Sequence, residues 1–137
     1  MSALIRFLYP LPTSERTASQ LLKWWERRRL PYNLAVGAAG LTSLAVVDLL
    51  GMLPPHPHPF QVPVVGIVVY GVLANVCFTG GWLIDSALAL AWKDEVRPAG
   101  PALFRQGLIF SVGLTLLPIV VATVDWALRL VGALVLR

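Results

Sequence analysis

No position between Pro63 and Ile84 carries a charge. A helix rising 1.5 Å per residue needs only about 20 apolar residues to cross roughly 30 Å of hydrocarbon. The stretch 63–92 therefore predicts a membrane-spanning helix. Two more apolar runs flank it, and they predict spans over 32–53 and 104–136. The second and third spans, at about 30 residues each, exceed what a bilayer core requires and must tilt, bend or protrude. Gly80 with Gly81 in the second and Pro118 in the third offer breaks that would force a count of four. Three is preferred, because neither split leaves two pieces long enough to cross with a polar turn between them.

Helical spacing assigns a face to each span. In the first, Asn33, Gly37, Gly40, Leu44, Asp48 and Gly51 share one broad side, where small residues permit close helix approach. In the second, Gly71, Asn75, Thr79, Trp82 and Ser86 follow one another at i+4, i+4, i+3 and i+4, opposite a Val- and Leu-rich side. In the third, Gly107, Ser111, Thr115, Pro118, Ala122, Asp125 and Arg129 fall on one narrow stripe. Pro118 removes a backbone hydrogen bond and predicts a kink there, with Ser111 or Thr115 available to satisfy the freed carbonyls. These faces are expected to turn toward protein.

Ahead of the spans the pattern changes. Residues 1–12 contain an apolar run broken by Pro10 and Pro12, too short and interrupted for a cleavable signal segment. Thr17 with Gln20 fits a capping box, with Thr13 and Ser14 as alternative caps, and Pro31 disfavours helical geometry at Leu30. A separate amphipathic helix over 13–30 is the result, with Ala18, Leu21, Leu22 and Trp25 as its apolar stripe. Its run KWWERRR (Lys23, Trp24, Trp25, Arg27, Arg28, Arg29) suits the boundary between headgroups and acyl chains, and makes this helix a membrane-surface anchor.

Composition narrows the class. The chain has 137 residues, 57% of them hydrophobic and 13% charged, far too apolar for a wetted surface. The fold class is thus an all-α integral membrane protein of one domain, three transmembrane helices behind an interfacial helix. The net charge of +4 resides at span ends, facing lipid headgroups, which argues against nucleic-acid binding. Arg27 to Arg29 before the first span, and Lys93, Arg97 and Arg105 between the second and third, place the N-terminus in the cytoplasm and the C-terminus outside. The connector 54–63, with five prolines and neither Lys nor Arg, is a stiff outer loop.

Candidate chemistry is sparse. Asp125 and Arg129, spaced i, i+4, can pair along the helix, and Asp48 at the same depth can complete a cluster, because a charge in hydrocarbon costs several kcal/mol unless partnered. Asp85 is expected to pair with Arg27 to Arg29 or with Arg105. Tyr70, Asn75 and Thr79 are candidates for interhelical hydrogen bonds. Cys77, the single cysteine, has no partner for a disulfide and is expected to be buried. His56 and His58 form at most a weak loop chelate, since a metal site needs three or four ligands. No catalytic or nucleotide-binding motif occurs, and no cofactor is implied.

The runs WWERRRLPYN, YGVLANVCFTGGW and FSVGLTLLP resemble those of small multi-span bacterial membrane proteins, which implies a bacterial inner membrane. The function expected is association, as a homo-oligomer or as an accessory subunit of a larger membrane complex in the lipid bilayer. The alternative is a small oligomeric transporter or channel with Asp48, Asn75, Asp85, Asp125 and Arg129 along its path.

Overall fold

The computed structural model describes residues 18–55, 57–58, 63–92 and 99–135. Among them are three α-helices: α1 (Ala18–Met52), α2 (Val64–Trp92) and α3 (Gly100–Val135). All three are long and apolar enough to cross a membrane. Short connections make α2 antiparallel to its neighbours and leave α1 and α3 parallel. Pairings along the bundle agree: Trp25 lies beside Phe78 and Phe104, Tyr32 beside Ala74 and Ser111, and Leu50 beside Arg129. The most extensive packing is between α1 and α3.

The separate interfacial helix does not form. α1 runs unbroken from Ala18 to Met52 with Pro31 inside it; residues 13–17, with the proposed caps, lie outside the described residues. Proline in a helix interior costs about 3 kcal/mol through a lost hydrogen bond and a crowded carbonyl. Packing outweighs that local cost, because the buried stripe of α1 passes straight through: Leu21, Trp25 and Arg28 before Pro31, then Tyr32, Val36, Ala39, Ser43 and Val47 after it. These positions repeat at intervals of three and four, one side of a single helix.

The same stripe corrects the face assigned to the first span. Asn33 and Gly37 are exposed, whereas Tyr32 and Val36 are buried. The inward side is turned by one residue, about 100°. Large side chains with hydrogen-bonding tips fill the centre, Gly37 lies outside it, and a Cβ on Gly40 would stand 3.7 Å from Thr115 Cγ2.

α3 begins at Gly100, four residues before the expected start, with Leu103 N–H donating to Ala99 O at 2.9 Å. Pro101 suits this position, where its fixed φ is already helical and its missing N–H would have had no partner. The helix continues through Pro118 to Val135. Neither nearby hydroxyl serves the carbonyl four residues before the proline: Thr115 donates to Ser111 O, and Ser111 Oγ meets Tyr32.

α2 is the loosest partner. Pro63 to Val69 are all exposed, so no residue at this end of α2 is buried by the rest of the bundle. The large hydrophobic side chains exposed along all three helices are mostly Val, Leu and Ile, which suits contact with acyl chains.

Candidate functional site

Polar side chains gather in four places, and each is set by the register just described. The first is an aromatic and carboxylate cluster at the end carrying Trp25. Trp25, 2% exposed, packs its ring edge-on against Phe78 at 5.3 Å and Phe104 at 6.3 Å, a geometry that pairs the positive ring edge with the negative face. Its indole N–H donates to Asp85 Oδ2 at 3.0 Å. Asp85, 3% exposed, thus takes a tryptophan as its described partner where an arginine was expected. The carboxylate also lies against the first turn of α3, where unpaired backbone N–H groups and the helix dipole favour negative charge. A Cβ added to Gly100 would stand 2.5 Å from Asp85 Oδ2.

This arrangement overturns the surface-anchor reading for half of its residues. Trp25 is core, and Arg28, 5% exposed, folds its guanidinium over the Trp24 ring at 3.8 Å and donates to Trp24 O. Trp24 is half-buried against the same aromatic cluster. Lys23 and Arg27 remain exposed, and Arg29 pairs with Glu26 at 2.7 Å. Of the stripe expected to lie on lipid, Leu21 and Trp25 are buried in the bundle and Leu22 is exposed.

The second place is a hydroxyl ladder in the middle of the bundle. Tyr32 hydroxyl donates to Ala74 O and meets Ser111 Oγ at 2.8 Å. One turn on, Tyr70 hydroxyl donates to Ser111 O and contacts Thr115 Oγ1 at 2.5 Å. Ser111 and Thr115 are buried and bridge α3 to both other helices. Tyr70 thus makes the interhelical bonds expected of it, whereas Tyr32 was absent from the sequence-derived candidates, although the signal was there. A tyrosine inside an apolar run carries one polar tip that must find a partner when buried.

The third place faces outward. A shallow groove of about 730 Å³ runs along α2 past Gly71, Val72, Asn75, Thr79 and Gly80, with Arg29 of α1 at one end. Asn75, on the groove wall, donates through Nδ2 to Asn33 Oδ1 at 3.1 Å and accepts from Asn33 Nδ2 at 3.3 Å, a reciprocal amide pair at the groove's edge. Thr79 donates to Asn75 O in its own helix and bridges to no other. Cys77, expected to be buried, is exposed.

The fourth place is a clasp at the far end. Arg129 lies 3.1 Å from Asp125 and donates to Leu50 O at 3.1 Å and Pro55 O at 3.3 Å. Trp126 Nε1 donates to Pro54 O, and His58 Nε2 stands 3.6 Å from Asp125. Asp48 does not join this cluster; among the described residues no ion pair or hydrogen bond includes it. The Arg129 clasp reaches backbone carbonyls at the end of α1, which remain available whatever side chain stands at 48. His56 lies outside the described residues, and among those described no three His, Cys, Asp or Glu side chains come together as a metal site would require.

The clasp carries one prediction. Arg129→Ala removes two hydrogen bonds from a charged donor and leaves Asp125 without its cation, so it should cost about 1–3 kcal/mol, whereas Lys23→Ala at an exposed position should change stability by less than about 0.5 kcal/mol. Helicity followed against denaturing detergent checks both, and equal losses would remove the clasp as a source of stability.

The five residues named for a transport path do not converge. Asp85 is sealed beside Trp25, Asn75 faces the groove on α2, and Asp125 with Arg129 lies at the opposite end. Comparison with family models, with curated proteins and with solved structures finds no match to this chain.

Proposed function

We propose that this chain is a small three-span protein of the bacterial inner membrane that acts by associating with other membrane chains, as a homo-oligomer or as an accessory subunit. The observation that carries this reading is the contrast between inside and outside. Within the bundle, Tyr32, Tyr70, Ser111, Thr115 and Asp85 all find partners and the space between them is filled by aromatic rings. Outside, Asn75, paired with Asn33, stands on a groove whose other lining residues are Val, Leu and Gly with Thr79 and Arg29. Hydrocarbon offers amides no hydrogen bonds, and polar side chains in spans accordingly face other helices.

Orientation follows from charge. Lys23, Arg27, Arg28, Arg29 and Arg105 lie toward the Trp25 end, and the positive-inside rule puts that end in the cytoplasm and the Pro54–Pro55 turn outside. Extraction of the full chain from its native membrane in a mild detergent tests the reading. The expected result is a particle heavier than one 14.9 kDa chain, or one that contains a second species. A single chain alone in its micelle would overturn it.

A further inference from the structure

We infer that the partner seated in the α2 groove is a second copy of this chain, packed about a two-fold axis along the membrane normal; this rests on the association reading above. Three observations choose the occupant. The first is hydrogen-bond complementarity. Asn75 spends both amide protons, on Asn33 Oδ1 and on Gly71 O, while Asn33 spends one, on Asn75 Oδ1. That leaves a donor on Asn33 and a free acceptor position on each Oδ1, since an amide oxygen has two lone pairs. The wall therefore presents donor and acceptor together, and a surface that offers both is complementary to itself.

The second is topology. Copies inserted with the same orientation are related by an axis perpendicular to the membrane, and an isologous contact then brings each depth against the same depth. Asn33 and Asn75 of one copy thus meet Asn75 and Asn33 of the other, and each copy's spare Asn33 proton meets a free Oδ1 position of its partner. Gly71 beside them lacks any heavy atom within 4 Å of where a Cβ would be, so a second backbone can come close. The third is charge. Arg29 at the groove's end already holds Glu26 through both carboxylate oxygens, so this end is neutralised and has little attraction for an anionic lipid headgroup. An acyl chain in the groove would also leave the spare Asn33 proton and the free lone pairs unserved.

Reconstitution of the full chain in nanodiscs of neutral phosphatidylcholine tests this. In a Cys77→Ser background, Val72→Cys on the groove should give a disulfide-linked dimer under mild oxidation, whereas Ile109→Cys, exposed on α3, should not. Combining Val72→Cys with Asn33→Ala and Asn75→Ala should cut the linked fraction about tenfold, the effect of losing symmetric interhelical hydrogen bonds. Linking at Val72→Cys that does not exceed Ile109→Cys, or that is unchanged without the amides, would overturn the inference. If Val72→Cys does not link while the chain leaves its native membrane with a different protein, association stands and self-pairing falls. A lone chain in both settings removes the two together.

Discussion

Trp25→Ala is expected to lower the stability of the folded bundle by about 3–5 kcal/mol, the range for truncating a large buried aromatic side chain. Trp25 touches all three helices. Its ring meets Phe78 of α2 and Phe104 of α3, its far edge would stand 3.0 Å from a Cβ on Gly81, and its indole N–H holds Asp85. Alanine leaves a cavity that these rings cannot all close, and it also leaves a buried carboxylate without a donor, which adds its own penalty. Trp25→Phe separates the two contributions by keeping most of the ring while removing the N–H. Loss of helicity in rising fractions of denaturing detergent is the measurement. If Trp25→Ala unfolds where the parent does, Trp25 is a surface residue after all and the register of α1 against α2 and α3 is wrong.

Gly100→Ala is the second large effect, with an expected cost of about 1–3 kcal/mol for overfilling a packed site. The added methyl would stand 2.5 Å from Asp85 Oδ2 and 3.2 Å from Cγ. Aspartate is too short to swing clear while keeping its bond to Trp25, so either that bond or the first turn of α3 has to move. The pairing predicts non-additivity. Asp85→Ala should be costly alone, yet Gly100→Ala added to it should cost little, because the atoms it would strike have gone. Coupling between contacting residues of about 0.5–3 kcal/mol is the signature. Additive losses would mean that Asp85 and Gly100 do not touch.

Three spans were readable from the sequence because hydrocarbon imposes a length of uncharged chain, and that length survives any rearrangement of neighbours. What rotated out of reach was each helix's inward side. On α1 the glycines and Asn33 suggested one stripe, but the bundle centre is wide enough to need Trp25, Tyr32 and Phe78, and these dictate a side one residue away. Pro31 misled for a related reason: its cost is local and visible in sequence, while the packing that outweighs it comes from residues on α2 and α3. Asp85 was expected to seek an arginine because opposite charges suggest pairing. It takes instead an indole and a helix start, neither of which is a charge that counting finds. Asp125 and Arg129 were legible as neighbours since i, i+4 spacing fixes them within one helix. The fate of Asp48 depended on where the chain turned beyond Met52.

The parallel contact of α1 with α3, the largest in the molecule, sets an order for biogenesis. A ribosome delivers α1 and α2 to the membrane while the segment that will cover Tyr32 and Ser43 is still unmade. Until Ser111 and Thr115 arrive, the Tyr70 hydroxyl has none of the partners it will keep, so the chain reaches its final shape only after its last third has been translated.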